Sequence, residues 1–143
     1  MSAAESSRRT LIQKLGIRKS DAIAFLNAPD GFLTLLGNLP DEVSIIQGAK
    51  RKLDFIQLFV RDRASLEREF PRSKTRLEQD GMIWVSWPKG SSKLRADLSD
   101  VVVREVGLKN GLVDVKVCSI DSSWSAMKFV RRLKDRRGSS IGV

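Results

Sequence analysis

The sequence contains no histidine, and its single cysteine is Cys118. The first absence excludes Ser-His-Asp triads, Cys-His pairs and histidine-ligated metal sites. The second excludes an intrachain disulfide and every Cys-x-x-Cys redox or zinc motif. A reducing cytoplasm is therefore the expected setting. No apolar run approaches the ~20 residues that span a bilayer, and Met1 to Ser7 lack the apolar core of a secretory signal. Neither a metal nor a membrane is expected as a partner, and no catalytic residue can be named.

What is present is an ordinary globular balance, with 41% apolar and 30% charged residues in 143. A chain of this length forms one domain and can bury roughly 68–70% of its unfolded surface. The net charge of +9 is unevenly spread. Residues 1–20 carry five bases and one acid, residues 128–143 carry six and one, and the 107 between them carry 15 of each. The expected organisation is a disordered basic leader (1–9), a folded domain (10–132) and a disordered basic tail (133–143).

Within the domain, Leu11, Ile12 and Leu15 have helical spacing and stop at Gly16. Asp21 to Leu26 reads as a strand closed by the turn Asn27-Ala28-Pro29-Asp30-Gly31. A short helix over Phe32 to Leu39 and a strand over Val43 to Gln47 follow. Leu53 to Val60, apolar nearly throughout, reads as a parallel strand buried on both faces. A charged helix spans Arg63 to Leu77, with Pro71 expected to break or kink it. Asp80-Gly81 reads as a turn before a strand over Met82 to Trp87. Ser99 caps a helix running to Val106 and ended by Gly107. Val115 to Ile120 and Trp124 to Arg131 form an antiparallel hairpin across Asp121-Ser122-Ser123.

Alternating strands and helices imply an α/β fold: one mostly parallel Rossmann-like sheet, helices on both faces, closed by the hairpin. That ending is the one found in methyltransferase-like sheets. One link is awkward. Gly48 to Lys52 is too short for a crossover helix, which needs roughly 10–12 residues. Either an extended segment crosses the sheet, or the strand at 43–47 runs antiparallel to its successor.

Three strings carry a family resemblance: Lys14-Leu15-Gly16-Ile17, Asn27-Ala28-Pro29, and Trp84-Val85-Ser86-Trp87-Pro88-Lys89. Gly111 to Asp114, Lys116-Val117-Cys118, Asp121 and Trp124-Ser125 extend it, so that it covers about Thr10 to Arg132. On these strings the chain resembles the bacterial family called domain of unknown function 3052. The resemblance implies a fold and brings no activity with it.

In a doubly wound sheet the ligand crevice lies outside the carboxyl ends of the strands. The candidate ligand residues there are Asn27, Asp30, Gly31, Trp87 and Lys89. Several features of a nucleotide or S-adenosylmethionine site are absent. The first turn has one glycine and a proline that donates no amide. Gln47-Gly48 stands where a ribose would meet an acid. Val60-Arg61-Asp62-Arg63 replaces the Asp/Asn-Pro-Pro-aromatic turn common in amino-group methyltransferases. The leading expectation is therefore a non-catalytic binding or regulatory module with no cofactor and an unknown protein or small-molecule partner. A small-molecule-binding enzyme of nucleotide or S-adenosylmethionine type ranks second. Third is nonspecific nucleic-acid binding by a basic rim opposite the crevice, built from Arg8, Arg9, Lys50, Arg51, Lys52, Arg131, Arg132, Arg136 and Arg137.

Overall fold

The computed structural model describes residues 10–47, 51–90 and 97–135. Arg8, Arg9, Lys50, Arg136 and Arg137 lie outside the described residues. In chain order the elements are α1 (Leu11–Leu15), β1 (Ala22–Leu26), α2 (Phe32–Leu36), β2 (Ser44–Ile45), β3 (Leu53–Phe59), α3 (Arg63–Thr75), β4 (Leu77–Pro88), α4 (Asp100–Lys109), β5 (Leu112–Ser119) and β6 (Trp124–Arg131). A 3-10 turn follows at Leu133–Asp135.

The strands form one sheet in the order β2-β1-β3-β4-β6-β5. The first four are mutually parallel, and β6 runs antiparallel to both of its neighbours. This is the α/β architecture the sequence implies. β2 pairs parallel with β1, placing Ala22 opposite Ser44 and Ile23 opposite Ile45. The antiparallel alternative is thereby excluded, and the chain must pass from β2 across β1 to reach β3. Set against the doubly wound order 3-2-1-4-5-6, the run β2-β1-β3-β4 matches 2-1-4-5, with the third strand left out.

Alternation along β3 and β4 builds two cores at once. On one face Ile56, Leu58, Ile83, Val85 and Trp87 pack under Leu66 and Phe70 of α3 and Val103 and Val106 of α4. On the other, Phe55, Phe59 and Trp84 pack under Leu15 of α1 and Phe32 and Leu36 of α2. The two tryptophans of the Trp84-to-Trp87 string thus point to opposite faces. Trp84 also ties down α1, because its indole N–H donates to the Leu15 carbonyl at 2.8 Å. At the other end of α1, Thr10 and Gln13 cap it reciprocally.

Three local expectations are corrected. Asp80-Gly81 is part of β4, whose pairing with β3 jumps from Leu53–Leu77 to Phe55–Met82. A Cβ on Gly81 would stand 3.0 Å from the Leu53 carbonyl and 3.1 Å from that of Asp54, so the irregular stretch closes onto β3 there. Pro71 lies inside α3, which continues to Thr75. Proline forfeits one backbone hydrogen bond, and the burial of Leu66 and Phe70 along α3 offsets it. Gly107 does not end α4; it lies within the helix, under the Phe129 ring.

The Gly107 contact sets a clear expectation. Alanine in an open helix position gains ~0.5–1 kcal/mol over glycine. Here its Cβ would fall 2.0 Å from Cε2 of Phe129, a fully buried ring. Overpacking of this kind costs about 1–3 kcal/mol, so Gly107→Ala should lower stability in a urea titration. An increase in stability would show that Phe129 yields freely.

Candidate functional site

The strand order reverses between β1 and β3. From β1 the chain turns to β2 on one side, and from β2 it returns to β3 on the other. Such a switch point splays the connecting loops apart and opens a crevice beyond the strand ends. The loop after β1 stands in the middle of it. Asn27 (φ 61) and Gly31 (φ 83) both adopt left-handed backbone, which asparagine tolerates better than most residues and glycine adopts freely. Gly31 then begins α2.

Cavities open on both sides of this loop. One, about 330 Å³, lies between the ends of β1 and β2 and is lined by Leu26, Asn27, Ile45, Ile46, Gln47 and Glu69 among others. It combines apolar walls with two side-chain amides and a carboxylate. The other, about 250 Å³, lies on the α1/α2 face and includes Asp30, Gly31, Phe32, Phe59, Asp121 and Trp124. Its wall belongs to a chain of edge-to-face rings: Phe25–Phe32 at 5.4 Å, Phe32–Phe59 at 4.9 Å and Phe59–Trp124 at 5.2 Å between centroids. The Arg61 guanidinium lies 5.3 Å from the Trp124 ring centroid, within cation–π range.

The turn between β5 and β6 holds Trp124 in place. Asp121 Oδ1 accepts from the backbone N–H groups of Ser123 (2.8 Å) and Trp124 (2.9 Å), the Asx geometry expected of aspartate there. On the far side of the crevice the loop after β3 is equally constrained. Asp62 accepts from the Ser65 N–H at 2.7 Å, and this bond holds its carboxyl below the ordinary range. Arg63 is committed to Glu67 and Glu105, at 3.2 and 3.1 Å, and those bonds raise its pKa.

The five candidate ligand residues do not share one cavity. Asn27 lines the first, and Asp30 and Gly31 line the second. Trp87 and Lys89 line a third, of about 480 Å³, beside Ser99 and Asp100 at the start of α4. Trp87 faces α3 and α4, whereas Asp30 and Gly31 open toward α2, so the sheet separates them. Lys89 is also engaged: its Nζ donates to Ser119 Oγ at 2.6 Å and its backbone N–H to the Ser123 carbonyl at 2.8 Å.

Of the basic rim, Arg51, Lys52, Arg131 and Arg132 are described, at the amino end of β3 and the carboxyl end of β6. Two of them work within the fold. Lys52 Nζ donates to the Thr75 carbonyl at 2.9 Å, and Arg131 Nη2 donates to the carbonyls of Leu77 (2.9 Å) and Lys74 (3.3 Å). Both satisfy carbonyls at or just beyond the end of α3, where positive charge is favoured. Cys118 packs beside the core, and burial pushes its thiol up more strongly than Lys116 and Lys14 draw it down. Among the described residues no group of His, Cys, Asp and Glu could hold a metal ion, and no helix is long and apolar enough to cross a membrane.

Sequence reasoning missed the joint role of Phe32, Phe59 and Trp124. The alternation Phe55-Gln57-Phe59 carried a signal, since it places Phe59 at the carboxyl end of β3 on the α2 face. The pairing of that end with the β5–β6 turn was not readable from spacing.

No protein-family model matches the chain, and no curated protein matches it either. Solved structures do. The ribosomal protein L11 methylase of Lactobacillus delbrueckii subsp. bulgaricus superposes with a TM-score of 0.60 at 12% identity, over 85% of this chain and 75% of that one. A TehB-like SAM-dependent methyltransferase from Corynebacterium glutamicum gives 0.58 at 14% identity, over 90% and 92%. DhpI in complex with SAH gives 0.61 at 12% identity, over 91% and 86%. These neighbours overturn the expectation of a non-catalytic module: the structures that share its sheet include a methylase and a SAM-dependent methyltransferase, and they favour the enzyme ranked second from the sequence. At such identities the likeness shows the fold, a mixed six-stranded α/β sheet of the SAM-dependent methyltransferase type.

Proposed function

We propose that the chain binds an S-adenosylmethionine-type nucleotide at the carboxyl ends of β1 and β2 and uses it in methyl transfer. The observation that carries this reading is the pair of cavities flanking the β1 loop at the switch point. One suits a nucleoside and the other suits a methyl acceptor. The resemblance to the family called domain of unknown function 3052, with its bacterial and cytoplasmic setting, belongs to the same proposal.

The residues fit such a group, with a reduced set of contacts. Leu26, Ile45 and Ile46 offer apolar surface to a planar base. Gln47 stands at the end of β2, where its amide can both donate to and accept from ribose hydroxyls. A carboxylate there would make charge-assisted bonds roughly twice as strong, so binding should be weaker than an acid would allow. Pro29 removes one backbone donor from the loop, while Asn27 brings a side-chain amide to it.

When bound, the group supplies a methyl on a positively charged sulfur. The chain's own part is to position the acceptor and keep water away, and orientation alone can account for much of such an acceleration. Phe32, Phe59 and Trp124 form an apolar wall against which a planar acceptor can lie. Arg61 places a cation at the mouth, over Trp124. Asp30 brings a carboxylate to the same cavity and can take the proton that an acceptor hydroxyl or amine gives up.

Isothermal titration of the full chain with S-adenosylmethionine and S-adenosylhomocysteine should show saturable 1:1 binding. Gln47→Ala and Asn27→Ala, both exposed, should each weaken it by about 3–10-fold, the worth of a hydrogen bond. Gln47→Ala should leave the melting temperature where it is, whereas Asn27→Ala should lower it, because alanine is strained at φ 61. Absence of binding at about 1 mM ligand, far above the usual range for a cofactor site, would refute the reading.

A further inference from the structure

A second groove runs along α3 and meets the first cavity at Leu26 and Glu69, which line both. Its origin is the short β2-to-β3 connection. Seven residues, Ile46 to Lys52, are fewer than the roughly 10–12 that a crossover helix needs. The β1 residues on the α3 side are Ala22, Ala24 and Leu26. A cavity of about 480 Å³ remains, lined by Leu26, Arg51, Lys52, Glu69, Arg72, Ser73, Thr75 and Arg76.

The lining argues against an apolar occupant. It carries four basic side chains and one acidic one. Glu69 is already occupied, with its carboxylate 3.1 Å from Arg68 and 3.8 Å from Arg72. Arg51 pairs with no carboxylate among the described residues, and Arg72 is largely exposed, at 72% of its side chain. Among these charges sits Ser73, 1% exposed, whose hydroxyl has no hydrogen-bond partner. A buried hydroxyl without a partner is uncommon, because it forfeits the bond that water would have made. A ligand oxygen entering the groove would accept from it and would sit among the guanidinium groups.

We propose that this groove binds the phosphate groups of a small phosphorylated molecule. Its volume is in the range of small-molecule pockets and exceeds the needs of a simple inorganic ion. No aromatic side chain among the described residues lines it, so they offer no stacking platform for the bases of a single-stranded nucleic acid. The planar forks of Arg51, Arg72 and Arg76 suit phosphate oxygens. The two cavities share Leu26 and Glu69, but the phosphate reading uses neither Asn27 nor Gln47 and a sulfonium nucleoside carries no phosphate, so failure of one reading does not entail failure of the other.

The test is titration of the full chain with inorganic pyrophosphate at about 50 mM salt, followed by amide chemical-shift mapping, since such contacts weaken as salt rises. Saturable binding with shifts centred on residues 72–76 is expected. Arg51→Ala and Arg72→Ala should each weaken it by about tenfold, and Ser73→Ala by ~3-fold or more. Lys19→Ala, a surface change beside Glu42, should leave it unchanged, and all four variants should melt as the parent does. Three results would overturn the proposal: no binding at about 1 mM pyrophosphate, binding that Arg51→Ala and Arg72→Ala leave intact, or a 20-nucleotide single strand that binds the groove more tightly than pyrophosphate does.

Discussion

Seven residues between β2 and β3 constrain the rest of this molecule. A parallel sheet normally spends a helix on each crossover, and here the chain must cross β1 without one. Three consequences follow. The strand that would lie outside β2 is missing, β2 shrinks to Ser44–Ile45, and the α3 side of β1 is left open. Stability is therefore concentrated in β3 and β4. Buried side chains line both faces of these strands, and Trp84 holds α1 through a single indole bond.

The crevice depends on the same economy. With α1 and α2 only five residues each, the face they cover is completed by aromatic rings. Phe25, Phe32, Phe59 and Trp124 meet edge to face, and the last three line the cavity on the α1/α2 face. The Asx turn at Asp121 fixes the end of that chain of rings. A wall built of core aromatics is stiff, because each ring is held by the next, and a stiff wall suits a site that must orient an acceptor. The cavity between the ends of β1 and β2 is more polar, with exposed Asn27 and Gln47 beside Leu26 and Ile46.

Much of the fold was legible in the residues. The apolar run Leu53 to Val60, the Ser99 cap and the Asp121 turn each pointed to the element found. Local signals misled where tertiary packing overruled them. Gly81 and Gly107 read as punctuation, yet each is small because backbone or the Phe129 ring closes on it. Pro71 read as a helix breaker, yet the buried positions along α3 carry the helix past it. The site was legible only in part. The switch-point rule pointed to Asn27, Asp30 and Gly31, which line the two cavities beside the β1 loop, whereas the pairing of Phe59 with Trp124 spans 65 positions and leaves no periodic trace. Trp87 and Lys89 were drawn to the crevice by their place at a strand end; both line the cavity beside α4, and Lys89 also bonds the Ser123 carbonyl of the β5–β6 turn.

The central claim is that the two cavities beside the β1 loop form one cofactor-and-acceptor site. A crystal structure of the chain with S-adenosylhomocysteine tests it most directly. The account predicts the base between Leu26 and the β2 residues Ile45 and Ile46, the ribose hydroxyls on Gln47, and the sulfur directed past the β1 loop toward Phe59 and Trp124. A nucleoside seated instead beside Trp87 and Lys89, or in the basic groove along α3, would contradict it.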